Sequence, residues 1–237
     1  MEVRIQKHIA ECGLMSRRAA EKEIERGNVT VNGEKAQIGQ KIDPKYDVVK
    51  VGGKAVLTKQ SQKVYVMLYK PRGYVTTMSD EMGRKCIPEL VEDVGQRVYP
   101  CGRLDKDSEG LLILTNDGVV ADKLMHPKNH LAKVYHVKVK SEITPQQLKA
   151  LNSPMNIDGY DIAPVEVEIT SRKEGTTSLR FTLREGRNRQ IRKMCEKVEL
   201  EIIRLKRVAV GQLNIGMLKP GKWKFLNYSE IQYLKNL

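Results

Sequence analysis

The sequence predicts an α+β protein in two parts, a small helix-and-hairpin domain followed by a larger domain built on a mixed, mainly antiparallel sheet. Three observations carry this. Several stretches beyond residue 64 alternate apolar with polar residues, and few helical stretches lie between them, which disfavours a doubly wound fold. Residues 58–63, Thr-Lys-Gln-Ser-Gln-Lys, contain no apolar side chain and have the character of a linker. No Gly-x-Gly-x-x-Gly or phosphate-binding loop occurs, so a nucleotide cofactor is not indicated and none is expected. The resulting boundaries are 1–58 for the small domain, 59–63 for the linker and 64–237 for the large one.

Each element has its own signal. Val3, Ile5, Ile9 and Cys12 recur at helical spacing, and Gly13 ends that helix. Ser16 caps a second helix, Arg17–Arg26, which Gly27 closes. Val29–Val31 is a strand leading to an Asn32-Gly33 turn, and Asp47–Val51 with Gly52-Gly53 suggests a second hairpin. Val64–Tyr69 opens the large domain as a buried strand, followed by Lys70-Pro-Arg-Gly73. Leu111–Leu114 is another short buried strand, ended by Asn116-Asp-Gly118. Val119, Val120, Leu124 and Met125 fit a short helix stopped by His126-Pro127. Lys133–Lys140 alternates, with Tyr135, Val137 and Val139 on one face. Thr144-Pro-Gln-Gln147 starts a helix with an N-cap, a first-turn proline and a glutamine able to reach back. Val165, Val167 and Ile169, then Leu179, Phe181 and Leu183, mark two more alternating strands. Ile191, Met194, Cys195 and Val198 give one buried stripe on a helix.

Composition bounds the function. Lysine and arginine total 42 of 237 residues against 29 for aspartate and glutamate, a formal charge of +13, which points to a polyanionic partner such as RNA or DNA. The longest apolar run, Val64–Tyr69, is far short of the ~20 residues a bilayer span needs. Charges at Glu2, Arg4 and Lys7 interrupt the start, so no secretory signal is read and a cytoplasmic location without membrane attachment is expected. The four cysteines (12, 86, 101, 195) form no Cys-x-x-Cys pair and the four histidines lack ligand spacing, so neither a metal site nor a disulfide framework is expected.

Two constellations carry chemistry. In the first, Gly102-Arg-Leu-Asp-Lys-Asp-Ser-Glu-Gly110 leads into the Leu111–Leu114 strand, with Asp105, Asp107 and Glu109 at alternate positions. By spacing alone these are ordinary loop acids. A carboxylate flanked by fixed cations such as Arg103 and Lys106 nevertheless stays ionised and serves as nucleophile or base. In the second, Arg184-Glu-Gly-Arg-Asn-Arg-Gln-Ile-Arg-Lys193 places Arg187 and Arg189 at a helix start and Arg192 just after it. Cations there oppose the helix dipole, so an anion, either a phosphate or a carboxylate, is expected beside them.

Taken whole, the string Gly102 to Gly118 closely resembles the active-site motif of RsuA/RluB-type pseudouridine synthases, with Ser108 where those enzymes usually have threonine. Lys70-Pro-x-Gly73 and Glu185–Met194 resemble two further motifs of that family, and Ile203–Arg207, Gly211, Leu218, Gly221-Lys-Trp223 and Leu226 extend the match. Val198-Glu-Leu200 departs from it, since a glycine is usual after the basic helix. Ser16-Arg-Arg18, Ile24 and Gly27–Gly33 resemble the RNA-binding domain first seen in ribosomal protein S-four.

The resemblance implies a small N-terminal S-four-like RNA-binding domain and a pseudouridine synthase catalytic domain that isomerises uridine within ribosomal RNA, without redox step or group donor. It makes Asp105 the catalytic residue, acting as nucleophile on sugar or base or as the base that removes a sugar proton. It pairs Asp105 with an arginine of the second constellation, Arg192 ahead of Arg187 and Arg189, and stacks the target uracil on Tyr135. It gives Arg103 the space the flipped nucleotide leaves, and makes Lys70, Lys133, Arg187, Asn188, Arg189 and Gln190 RNA contacts. Arg17, Arg18 and Lys22 become phosphate contacts of the small domain. Glu11-Cys-Gly and Ser-Arg-Arg favour a large-subunit rRNA target, and a monomer suffices. Two other classes remain open: a non-catalytic RNA-binding or ribosome-assembly protein on the same fold, and a carboxylate-based nucleoside hydrolase.

Overall fold

The computed structural model describes residues 1–57 and 62–237; most of the polar stretch read as a linker, residues 58–61, lies outside the described residues. The chain divides into two compact units, Met1–Lys63 with Asn116–Gly118, and Val64–Thr115 with Val119–Leu237.

The first unit holds helices α1 (Ile5–Glu11) and α2 (Arg17–Glu25) and a four-stranded antiparallel sheet in the order Glu34–Lys35, Val29–Val31, Val49–Val51, Lys54–Ala55. Ser16 caps α2 by accepting a bond from the Ala19 amide at 3.1 Å. Asn32 and Gly33 both have positive φ (53° and 97°), the backbone that a two-residue hairpin turn requires. One expectation moves: Val3 does not belong to the first helix but to a strand pair, Val3–Arg4 with Lys41–Ile42, because Arg4 is extended and the helix begins only at Ile5. Ile5, Ile9, Ala20, Ile24, Val29, Val31 and Val49 form this unit's core.

In the second unit, α3 (Gly118–Met125), α4 (Pro145–Leu151), α5 (Gln190–Lys197) and α6 (Tyr228–Lys235) accompany a nine-stranded sheet. Its main strands are β1 (Tyr65–Lys70), β2 (Glu109–Thr115), β3 (Lys133–Lys140), β4 (Glu166–Lys173), β5 (Thr176–Leu183), β6 (Glu201–Val210) and β7 (Trp223–Phe225). Their order is β4-β5-β3-β6-β2-β1-β7, and every pairing along it is antiparallel except β6 with β2. The sheet is thus mixed and mainly antiparallel, as its alternating sequences predict. Thr144 forms the predicted capping box with Gln147 at the start of α4.

The parallel pairing is what positions the site. β6 meets β2 at only two positions, Lys206 with Glu109 and Arg207 with Gly110, and then the strands part. Further along β2, Thr115 and Leu114 pair instead with the short strand Tyr99–Pro100. A cleft opens in this fork, with residues 101–106 on one wall and β3 and β6 on the other. Gly110 makes the close approach possible: its φ is +111°, and a Cβ there would stand 2.1 Å from the Arg207 carbonyl oxygen. No helix among the described residues is long and apolar enough to cross a membrane.

Candidate active site

The loop carrying Asp105 leaves the fork between Gly102 and β2, and it is fastened from below. Lys70, the last residue of β1, is fully buried, and its ammonium donates to the carbonyls of Pro71 (3.0 Å), Asp105 (3.1 Å) and Ser108 (2.8 Å). Thr76 Oγ1 donates to the Leu104 carbonyl at 2.6 Å and accepts from the Leu104 amide at 3.2 Å, while the Gly73 amide donates to the Lys106 carbonyl at 2.8 Å. The loop backbone flanking Asp105 is therefore bonded on both sides. Burial pushes Lys70 down to about 8, against the pull of the Asp105 and Asp107 carboxylates.

The three acids of the loop have separate environments. Asp105 is part-exposed, its side chain 32% accessible, at the wall of the cleft. Asp107 is exposed. Glu109 is buried and holds Arg204 and the Tyr69 hydroxyl, which donates at 3.3 Å, away from the other two. Glu109 is already the first residue of β2, whereas Asp105 and Asp107 stand on the turn before it, closed by the Ser108 amide on the Asp105 carbonyl.

Facing Asp105 is the start of α5. Arg192 Nε lies 3.8 Å and Arg189 Nη1 4.0 Å from Asp105 Oδ2, so the anion that basic helix start demands is this carboxylate. Arg192 is held by two bonds from its Nη2, to the Asp107 carbonyl (3.0 Å) and Ser108 Oγ (3.3 Å), while its buried Nε has no hydrogen-bond partner. Burial and the neighbouring Arg189 lower the Arg192 pKa, and Asp105 and Asp107 oppose this. Arg189 takes the left-handed backbone (φ 53°) immediately before the helix and is 46% accessible.

The cleft, about 1210 Å³, brings together Arg103, Asp105, Lys133, Tyr135, Arg187, Asn188, Arg189 and Gln190 on its lining. Tyr135 projects from the middle of the sheet, half-buried, packing against two of the apolar clusters. Lys133 is half-buried, donates to the Leu131 carbonyl at 3.0 Å, and has its pKa lowered by burial and by Arg207. Arg103 and Asn188 are exposed. Arg17, Arg18 and Lys22 are exposed on α2 in the other unit, without an ion-pair partner among the described residues.

Two sequence readings need correcting. Lys70 is not an RNA contact, since its buried ammonium is committed to three carbonyls. Gln190 is 3% exposed and structural: it donates to Glu185 Oε1 at 3.0 Å and accepts from the Arg187 amide at 3.2 Å, closing the turn before α5. Arg187 stays exposed on the cleft lining, its guanidinium stacked 3.0 Å from the Tyr160 ring centroid and 3.6 Å from Glu185. Thr76 and Arg207 were missed. Nothing in the pattern marks Thr76, but Arg207 shares the face of buried Leu205 on β6, and a cation on an apolar face is a readable signal. Among the described residues no group of three His, Cys, Asp or Glu side chains gathers to hold a metal ion.

Comparison with known proteins agrees with this layout. Residues 64–197 match the model of the RNA pseudouridylate synthase family, and residues 3–48 match that of the S4 domain. The chain is 41% identical over 236 residues to an RNA pseudouridine synthase of Aquifex aeolicus, covering 99% of this chain and 94% of that protein. It is 40% identical over 237 residues to ribosomal large subunit pseudouridine synthase B of Bacillus subtilis, covering 99% and 96%. A crystal structure of a pseudouridylate synthase superposes with a TM-score of 0.70 at 27% identity, over 98% of this chain and 99% of the other. With an S4 domain ahead of a sheet whose fork holds one carboxylate against two arginines, the chain belongs to the RNA pseudouridylate synthase family.

Proposed function

We propose that this enzyme converts a specific uridine of large-subunit ribosomal RNA to pseudouridine in the cytoplasm, as a monomer, with Asp105 as its catalytic carboxylate. The observation that carries the reading is the part-exposed Asp105 carboxylate, set in a cleft within 4.0 Å of both Arg192 and Arg189. The Bacillus subtilis relative, named for the large ribosomal subunit, supports the choice of RNA.

The reaction is an isomerisation: the bond from C1′ to N1 of uracil breaks, the base turns, and a bond from C1′ to C5 replaces it. The C5 proton leaves and N1 gains one, so nothing is added or lost. Half-buried Arg192, 3.8 Å away, aims the Asp105 carboxylate. The target base leaves its stack and lies against Tyr135; stacking worth ~1–3 kcal/mol per base offsets the few kcal/mol of flipping. Arg103 occupies the space left in the RNA. Residues 64–237 do the chemistry, and residues 1–58 supply phosphate contacts through Arg17, Arg18 and Lys22, which position RNA without reading its sequence.

Asp105→Asn tests the assignment. It is expected to abolish pseudouridine formation while RNA binding persists, with the modified uridine identified by mapping rRNA from cells with and without the protein. Pseudouridine formation retained in that variant takes the catalytic role from Asp105, a wild-type protein that binds RNA but forms no pseudouridine points to an RNA-binding role, and release of free uracil points to a hydrolase. A rate that falls with deuterium at the sugar C2′ assigns Asp105 as the base that removes that proton; an unchanged rate leaves it as nucleophile.

A further inference from the structure

We propose that Arg207 is the docking site for the detached base: its terminal amino groups hydrogen-bond the adjacent N1 and O2 of uracil and stabilise the negative charge the base gains when the glycosidic bond breaks. This rests on the isomerase reading above.

Arg207 is only 5% exposed, yet among the described residues no carboxylate pairs with it. Its Nε donates to the Leu111 carbonyl at 2.8 Å, the carbonyl that β2 frees as it parts from β6. That bond fixes the guanidinium at the crotch of the fork, where the residue lines the cleft. No described residue accepts from its two terminal amino groups, and neither group is sealed away from the cleft as a buried unsatisfied atom. Its neighbours make this worse rather than better: Lys133 and Lys70 are both cationic and both repelled by it. A buried cation among cations is costly unless something anionic or strongly accepting meets it.

Three features identify that group as the base and not a phosphate. Arg207 sits directly across from Tyr135 in the β3–β6 register, on the same face, so a ring lying on Tyr135 presents its edge to Arg207. The residue lies at the floor of the cleft, whereas phosphates stay with the RNA backbone at the rim, among exposed Arg103 and Arg189. A planar guanidinium donates two parallel hydrogen bonds, which suits N1 and O2, the adjacent acceptors on one edge of the detached base. Heterolysis of the C1′–N1 bond sends its electron pair to N1, and conjugation spreads that charge onto the two carbonyl oxygens. The electron deficiency at C1′ is met by Asp105, through a bond or through removal of the C2′ proton. Fixed donors where charge develops are the most effective kind of electrostatic catalysis.

The test compares single-turnover rates on an rRNA stem-loop carrying uridine or 5-fluorouridine at the target, whose electron-poor base leaves more readily as an anion. Arg207→Gln is expected to slow uridine cleavage at least 100-fold, with RNA Kd within threefold of wild type. The 5-fluorouridine-to-uridine rate ratio should rise at least tenfold, because the better leaving group no longer needs the arginine. A Gln variant within threefold of wild type on uridine, or one slowed equally on both substrates, overturns the proposal; the second result would mean a purely structural role. Arg207→Lys, which keeps the charge, covers the case in which the Gln variant does not fold. It should shift the ratio the same way by a smaller factor, and an unchanged ratio overturns the proposal. Failure of the isomerase reading looks different, since the wild-type protein itself then forms no pseudouridine.

Discussion

Replacing Lys70 with methionine separates what anchors the Asp105 loop from what stabilises the fold. A pKa lowered from 10.5 to about 8 means that burial disfavours the charged form by about 3 kcal/mol. Against this stand three hydrogen bonds from the ammonium, at 2.8, 3.0 and 3.1 Å. Each charge-assisted bond is worth roughly 1.5–3 kcal/mol and offsets part of that penalty, since the folded pKa stays below 10.5. Lys70→Met removes both contributions and takes a donor from three carbonyls, of which that of Asp105 keeps the Ser108 amide at 3.1 Å, for a net destabilisation of about 2–5 kcal/mol by urea unfolding. Activity should suffer more than that implies. The loop loses its floor, and displacement of a reacting group by an ångström costs about 100-fold in rate.

The same residue gives a pH signature with two opposite signs. Activity needs the ammonium, so it should fall as pH rises through about 8. Stability runs the other way. Because the folded pKa lies below the ordinary 10.5, the unfolded chain binds more protons between those values, and this group makes folding more favourable as pH climbs across that window. A variant with near wild-type kcat, together with a wild-type rate flat to about pH 9.5, would refute the anchoring role.

Three other changes test the architecture. Gly110→Ala should cost more than ~3 kcal/mol or prevent folding, since its Cβ would collide with Arg207 backbone at a φ of +111°; a soluble variant with wild-type thermal midpoint contradicts the fork geometry. Glu199→Gly should stabilise by about 0.5–1 kcal/mol, because Glu199 holds a left-handed φ of 57° just past α5; calorimetry showing a loss would place the strain elsewhere. Changing Arg17, Arg18 and Lys22 together to glutamine should weaken RNA binding evenly across sequences and lower the salt dependence of log Kobs by about 2–3; an unchanged slope removes α2 from the RNA contact.

What the sequence made legible was local. Ser16, Thr144 and the Asn32-Gly33 turn act within a few residues of themselves, so their structures follow from their neighbours. The stripe Ile191, Met194, Cys195 likewise follows from helix geometry. Glycine after the basic helix is usual in the family, and the backbone at Glu199 explains it: that position is left-handed, and glycine takes such a conformation without strain. Lys70 was illegible because its partners lie 35 and 38 residues away, and a lysine after an apolar strand looks solvated. Gln190 was hidden in a run of donors, although it sits one turn before Met194 on the buried face. Charge type alone could not separate the arginines, since only the fold tells which face a carboxylate, a tyrosine ring or an empty stretch of cleft.

That separation bears on how a basic cleft holds a reactive acid. Lysines and arginines outnumber carboxylates by seven to two along its lining, enough to draw in a polyanion. The same phosphates compete with Asp105 for its cations, and a carboxylate stripped of those partners would lose its aim. Arg192 escapes the competition because it is 18% accessible and tied to the Asp107 carbonyl and Ser108 hydroxyl. Arg189, at 46% accessible and 4.0 Å from Asp105, is free to turn to a phosphate when RNA arrives. On this division, Arg192→Ala lowers kcat at unchanged RNA Kd, whereas Arg189→Ala weakens binding and reduces its salt slope by about one with kcat nearly intact. If both variants lose kcat alike, Asp105 needs the two guanidiniums together throughout the reaction, and RNA must be held entirely by other cations of the rim.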